Sequence, residues 1–163
     1  MSEPSLPARL LADPVRLAWA LAAVTALALA IAHGLEAAGF APCPLCLYQR
    51  YPYYAAVPVL AVGAILGRPR PALVVALLLY LGDLSIALYH VGVEQGILTL
   101  PESCAAAGRA ETLEELKRLV LETVPRCDRP EFFFLGLTLA AWNALFALAL
   151  TLVTAAGLRA LRR

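Results

Sequence analysis

Long apolar runs separated by short polar breaks dominate the chain. Four stretches, at about 17–38, 46–66, 72–89 and 132–155, stay apolar over the roughly 20 residues a helix needs to cross a bilayer. Each reads as a transmembrane helix. The first carries His33 and Glu36 near its far end, the second carries Pro58 and the third Asp83. Pro58 predicts a kink of the kind neighbouring helices tolerate in lipid. The breaks at 40–45 and 67–71 are short, and the one at 90–131 is long. Inside it, Leu113, Leu116, Val120 and Val124 recur at helical spacing, and Thr112 with Glu115 forms a capping-box pattern. That stretch, Ala110–Val124, predicts a short amphipathic helix on the membrane surface or on the bundle. The predicted fold is an all-α membrane protein: one four-transmembrane-helix bundle with a long loop carrying a short amphipathic helix.

Composition agrees with this pattern. The chain is 61% hydrophobic and 15% charged, against roughly 45–50% and about 25% in average soluble proteins. A net charge of +1 gives no reason to expect a nucleic-acid partner. With four spans, both termini lie on one side. Basic residues near span ends mark the cytoplasm. Arg9, Arg16, Arg68, Arg70, Arg159, Arg162 and Arg163 fall on the terminal side. Arg50, Arg109, Lys117, Arg118, Arg126 and Arg129 fall on the other, where Lys117 and Arg118 stand far from any span. Both termini are therefore expected inside. All four cysteines, Cys43, Cys46, Cys104 and Cys127, then share the outer compartment, where disulfides persist if it is oxidising. The first span is longer than the apolar core of a signal peptide and is expected to stay in place.

The chemistry concentrates in FAPCPLCLYQR, residues 40–50. Pro44 suits the first position of a helix, which makes Cys43 the N-cap and puts Cys46 at N3. Free N–H groups at a helix start and a nearby arginine lower a thiol's pKa. Arg50 stands four residues after Cys46, on the same helix face, and Tyr53 and Tyr54 continue that face. A dithiol at headgroup depth with a cation and aromatic rings below it suits a flat, lipid-soluble electron acceptor such as a quinone. The plainer readings are an interfacial arginine that snorkels and an aromatic belt. Asp83 is expected to form a structural hydrogen bond, with Asn143 as its partner across the bundle, or to shuttle a proton.

Cys104 and Cys127 bracket the amphipathic stretch in polar surroundings, PESCAAAGR and PRCDRP. A disulfide between them would brace that loop, and as an exposed loop disulfide it would be open to exchange with an incoming thiolate. A four-cysteine zinc site is the chemical alternative, but the second pair lacks the close spacing of the first, and no metal is expected. A scaffold with two structural disulfides is a further alternative.

PCPLCLYQR, the loop with Cys104 and Cys127, and CDRPEFFFLGLTLAAWNAL (Cys127–Leu145) together resemble the disulfide bond formation protein B (DsbB) family over most of the chain. The resemblance implies a multi-pass protein of the bacterial inner membrane with periplasmic cysteines. It implies an enzyme, a thiol:quinone oxidoreductase that reoxidises a DsbA-like periplasmic thioredoxin-fold protein and passes the electrons to the quinone pool. Cys104 would form the mixed disulfide with the partner, Cys127 would resolve it, and Cys43 and Cys46 would receive the electrons. Cys46 would engage ubiquinone or menaquinone with help from Arg50, with His90 nearby. The vitamin K epoxide reductase type shares this chemistry, but its CxxC falls late in the chain.

Overall fold

The computed structural model describes residues 13–101, 104, 112–114, 125–130 and 132–161. Four helices make up most of it: α1 (Pro14–Ala37), α2 (Pro44–Ile65), α3 (Pro69–Glu94) and α4 (Leu139–Ala160). A small antiparallel hairpin, β1 (Phe133–Phe134) with β2 (Leu137–Thr138), leads into α4. The expected amphipathic helix over Ala110–Val124 lies outside the described residues apart from Thr112, Leu113 and Glu114.

The helix starts follow local chemistry. Asp13 caps α1, its carboxylate accepting from the N–H groups of Val15 at 3.0 Å and Arg16 at 3.2 Å. Pro14, Pro44 and Pro69 each open a helix, where a missing N–H is no loss. Thr138 caps α4 by accepting from Ala141 N–H at 3.1 Å.

Helices α1, α3 and α4 are long and apolar enough to cross a membrane. Helix α2 has 22 residues but is not among them. Gln49, Arg50, four tyrosines and the internal Pro52 and Pro58 lower its hydropathy. Three boundaries differ most from the sequence reading, the first being that α4 runs on to Ala160 instead of ending near 155. Helix α3 runs on to Glu94 and so takes in His90. Residues 132–138 are not helical. The chain turns there at Leu135 (φ 50°) and Gly136 (φ 79°), the paired left-handed conformation of a two-residue hairpin turn. An apolar run of this length fits a strand as well as a helix, and glycine lets it turn. The Trp142 indole N–H donates to the Phe134 carbonyl at 2.9 Å and fastens the hairpin to α4.

Successive helices pack side by side, while α1 and α4 hardly touch. Short connectors make α1, α2 and α3 antiparallel in turn. The Thr138 hydroxyl donates to Glu94 at 2.7 Å, so α4 starts where α3 ends. The end of α1, the start of α2, the end of α3 and the start of α4 therefore meet at one end of the bundle. The interior is built on small residues, with Ala18, Ala56, Ala76, Ala87 and Ala147 fully buried, which lets helix backbones approach closely. The outward side chains are themselves apolar, Leu27, Ile31, Ile65, Leu78 and Leu152 among them, a surface suited to lipid.

The tightest approach is at Gly63 on α2, where a Cβ would run into the Ala72 side chain of α3. Gly63→Val is expected to lower stability by about 1–3 kcal/mol through overpacking. Thermal unfolding of the detergent-solubilised protein would read this as a lower Tm, and an unchanged Tm would mean the two helices are free to separate.

Candidate active site

The dithiol is built into a helix start. Cys43 is the N-cap of α2, with φ −71° and ψ 164°, and its sulfur accepts from the Cys46 N–H at 3.3 Å. Cys46 thus stands at N3, with its Sγ 2.8 Å from Cys43 Sγ. Cys43 is buried and Cys46 half-buried, and both carry free thiols. On the far side of Cys43 its sulfur meets His90 Nε2 at 3.6 Å. The hydrogen bond from the Cys46 thiol is the main influence that holds the Cys43 thiol well below its ordinary range. His90 adds to it, and burial opposes it.

Cys104 and Cys127 form a disulfide with a Cα–Cα distance of 5.8 Å. The sequence suggested an exposed bridge; instead both cysteines are buried. They sit in one apolar cluster with Cys43, Leu45 and Val93, flanked by Cys46, Tyr89 and Leu100. Beside Cys127, Arg126 and Arg129 are exposed while the sulfur packs inward, which flanking composition does not disclose. All four cysteines, far apart in sequence, are thereby gathered at one end of the bundle.

A cavity of about 410 Å³ opens beside them, between α1 and α4 and beside residues 125–130 and Phe132. Val24, Leu27, Ala28, Ile31 and Leu35 of α1 give it an apolar wall, and Phe40, Phe132, Trp142 and Phe146 give it aromatic faces. Cys43, Cys46, Arg50, Tyr53, His90 and the Cys127 end of the disulfide all reach it. Such a volume, mostly apolar with a few convergent polar groups, is typical of a small-molecule site.

Helix periodicity sorts the two tyrosines. Tyr53, seven residues after Cys46, returns to its face, is 4% exposed and lines the cavity. Its ring packs edge-on against Phe146, with centroids 6.0 Å apart. Tyr54 is turned about another 100° away. It is 42% exposed, and its hydroxyl lies 2.6 Å from His33 Nε2 in an outer groove. The cavity thus gathers Arg50, Tyr53 and His90 of the expected set but not Tyr54. Arg50 stands between groove and cavity, its Nη1 donating to Glu36 at 2.6 Å and its Nη2 to the Ala32 carbonyl at 3.4 Å.

A family model described as disulfide bond formation protein DsbB matches residues 14–157. The chain belongs to the DsbB family. That membership gives it an oxidoreductase role in disulfide-bond formation, and with the three apolar helices it makes this a multi-pass membrane protein. A Rickettsia prowazekii (strain Madrid E) protein described as uncharacterized is 25% identical over 116 residues, covering 68% of this chain and 67% of the relative. No solved structure matches the chain significantly.

Against this background, three polar residues that the sequence reading did not assign to the site stand out. Gln49 contacts His90 Nδ1 at 2.9 Å. Glu94 has one carboxylate oxygen 3.7 Å from His90 Nε2 and the other on Thr138. Glu36 holds Arg50. The spacings alone carried a signal, since Gln49 follows Cys46 by three residues and Glu94 follows His90 by four, which puts each pair on one helix face. The donor atoms of Cys43, Cys46 and His90 lie within 4.8 Å of one another. They are of metal-ligating type, but three donors fall one short of a closed structural zinc site, and the disulfide removes the other two cysteines from any such set.

Because its pKa is lowered, Cys43 is charged above its folded value and becomes a neutral thiol as the pH falls through it. The stability gained from the thiolate is complete above the ordinary thiol range and is lost on acidification. Titrating the 240 nm thiolate absorbance of the reduced protein is expected to give a midpoint below that of a free cysteine. Cys46→Ala, which removes the main donor, is expected to raise it, and an unmoved midpoint would mean that this bond does not set the acidity of Cys43.

Proposed function

We propose that this chain is a thiol:quinone oxidoreductase of the bacterial inner membrane, which reoxidises a DsbA-type periplasmic dithiol protein and passes the electrons to quinone. The observation that carries the reading is the gathering of both cysteine pairs in one buried cluster beside an apolar cavity that also holds Arg50. In this reading α2 crosses the membrane with the other three helices, both termini are cytoplasmic, and the cysteine end of the bundle faces the periplasm.

The relay proceeds by thiol–disulfide exchange. A thiolate of the reduced partner attacks the Cys104–Cys127 disulfide and forms a mixed disulfide with Cys104. The partner's second thiol then displaces Cys104, which leaves the partner oxidised and Cys104 and Cys127 as thiols. These reduce a Cys43–Cys46 disulfide in the same way, and burial of both pairs in one cluster keeps the path short. Since the disulfide is buried in the resting arrangement, Cys104 must become exposed for the partner to reach it. In total the partner's two thiols give up two electrons and two protons.

The residues of the cavity fit a quinone, with an apolar and aromatic lining, a cation at one side and a dithiol at the end. When bound, the quinone supplies the two-electron sink that cysteines alone lack, and it takes up the two protons. Arg50 would hold a carbonyl oxygen, Tyr53 and the aromatic wall would hold the ring, and the gap between α1 and α4 would pass the lipid tail. Both Cys43 and Cys46 line the cavity, and Cys46, the more exposed of the two, would meet the ring. His90 adds to the hydrogen bond from Cys46 in favouring the Cys43 thiolate. Tyr54, on the outer groove, is left out of this set.

The test is quinone absorbance over time, with purified protein, a quinone and a reduced DsbA-type protein. Loss of oxidised quinone that requires both partners and stops with Cys46→Ala is the expected result. No loss, with the protein folded and both pairs oxidised, would leave the disulfides as structural braces. Arg50→Ala is expected to raise the KM for quinone by about tenfold or more while changing that for the protein partner little. Equal changes in both would give Arg50 a general role in folding.

A further inference from the structure

A directed chain of hydrogen bonds runs through the buried interior from Asp83 to the dithiol. The Tyr53 hydroxyl donates to Asn143 Oδ1 at 2.8 Å. Asn143 Nδ2 then donates twice, to Asp83 Oδ2 and to Gln49 Oε1, both at 3.0 Å. With its oxygen so engaged, Gln49 turns its Nε2 to His90 Nδ1 at 2.9 Å. An amide nitrogen can only donate, so Nδ1 must accept and the imidazole proton sits on Nε2. That N–H faces Cys43 Sγ at 3.6 Å, with Glu94 Oε1 at 3.7 Å from the same nitrogen. Asp83, Gln49 and His90 are buried and Asn143 is half-buried, which limits competition from water.

We propose that Asp83, Asn143 and Gln49 are positioning residues that fix the His90 tautomer, so that an N–H rather than a lone pair faces the Cys43 sulfur. The proposal deepens the thiol:quinone reading and rests on it. The chain has two self-consistent polarities. Reversing both amides turns the Asn143 oxygen onto Asp83 and the Gln49 oxygen onto His90 Nδ1. That arrangement needs a proton on Asp83, moves the imidazole proton to Nδ1, and leaves a lone pair against Cys43, which favours the thiol over the thiolate. An ionised Asp83 selects the first polarity. Its other oxygen, Oδ1, is buried with no hydrogen-bond partner among the described residues. Asp83 meets Asn143 through Oδ2 and also interacts with the Tyr53 hydroxyl, and of the two only Asn143 carries the selection on to Gln49. Asp83 lies seven residues before His90 on α3, too far to touch it, and acts through the two amides.

The tautomer can be read directly, because the chain has two histidines. The reduced protein would be labelled with nitrogen-15 histidine, and the His33 signals assigned with His33→Gln. Neither quinone nor protein partner is present in this measurement, so an absence of turnover elsewhere would strike the functional reading alone. The wild type is expected to show His90 with Nε2 protonated and Nδ1 bare. Asn143→Leu removes both donors and is expected to lose that preference, raise the Cys43 thiolate midpoint and slow quinone reduction about tenfold, in kcat rather than KM. Asp83→Asn keeps the shape of the site but serves either polarity, so it is expected to give a mixture of tautomers and a loss of about twofold. It also keeps the test alive if Asn143→Leu does not fold. Thr25→Val, which removes the buried Thr25–Tyr80 hydrogen bond of 2.8 Å outside the chain, is the control expected to leave the tautomer unchanged. A wild-type His90 protonated on Nδ1, or an unaltered tautomer in Asp83→Asn, would overturn the proposal.

Discussion

The Cys46 backbone N–H donates to the Cys43 sulfur in the first turn of α2, and the rest of the site hangs on that bond. It makes the dithiol part of a helix start instead of a loop. The sulfur of Cys43 is held where a helix offers unpaired donors and positive potential. Its neighbour, one turn further, is held at the mouth of the cavity. Pro44 keeps the turn in place, since it fits the first helical position and cannot continue a strand. Every later distance in the site, from Cys46 to Arg50 to Tyr53, is then set by the pitch of one helix.

The bundle turns this local device into a site. Polar groups inside a membrane protein are best satisfied by one another, and here four of them bond in a line. Asp83, Asn143, Gln49 and His90 come from three helices and join the middle of the bundle to the sulfur of Cys43. A second line runs along the lipid side, where Tyr54, His33 and Glu36 lead to Arg50. The cavity lies between them, beside the disulfide. One end of the bundle thus brings together four cysteines, a cation and an apolar hollow.

Much of this was legible in the chain. Apolar runs of the right length predicted the helices, because burial in lipid demands about 20 apolar residues whatever the partners. The Cys-Pro start and the spacing from Cys46 to Arg50 predicted the dithiol's setting, because capping and helix pitch are local. The pairing of Asp83 with Asn143 was anticipated because a polar side chain in a span needs a partner. The stretch after Glu131 misled, because three phenylalanines and a leucine satisfy a strand as readily as a helix. The turn at Leu135 and Gly136 depends on the Trp142 indole and on how the segment packs on α4.

The sequence by itself determined the four helices and the setting of the Cys43–Cys46 pair at a helix start, since propensity, capping and hydropathy act over a few residues. Only the tertiary structure decided which groups meet. It buried the Cys104–Cys127 disulfide beside Cys43, turned Tyr53 inward and Tyr54 outward, paired Arg50 with Glu36, and threaded Gln49 between Asn143 and His90. Those contacts join residues as many as 94 positions apart. They depend on the packing of one helix against the next, which no local pattern specifies.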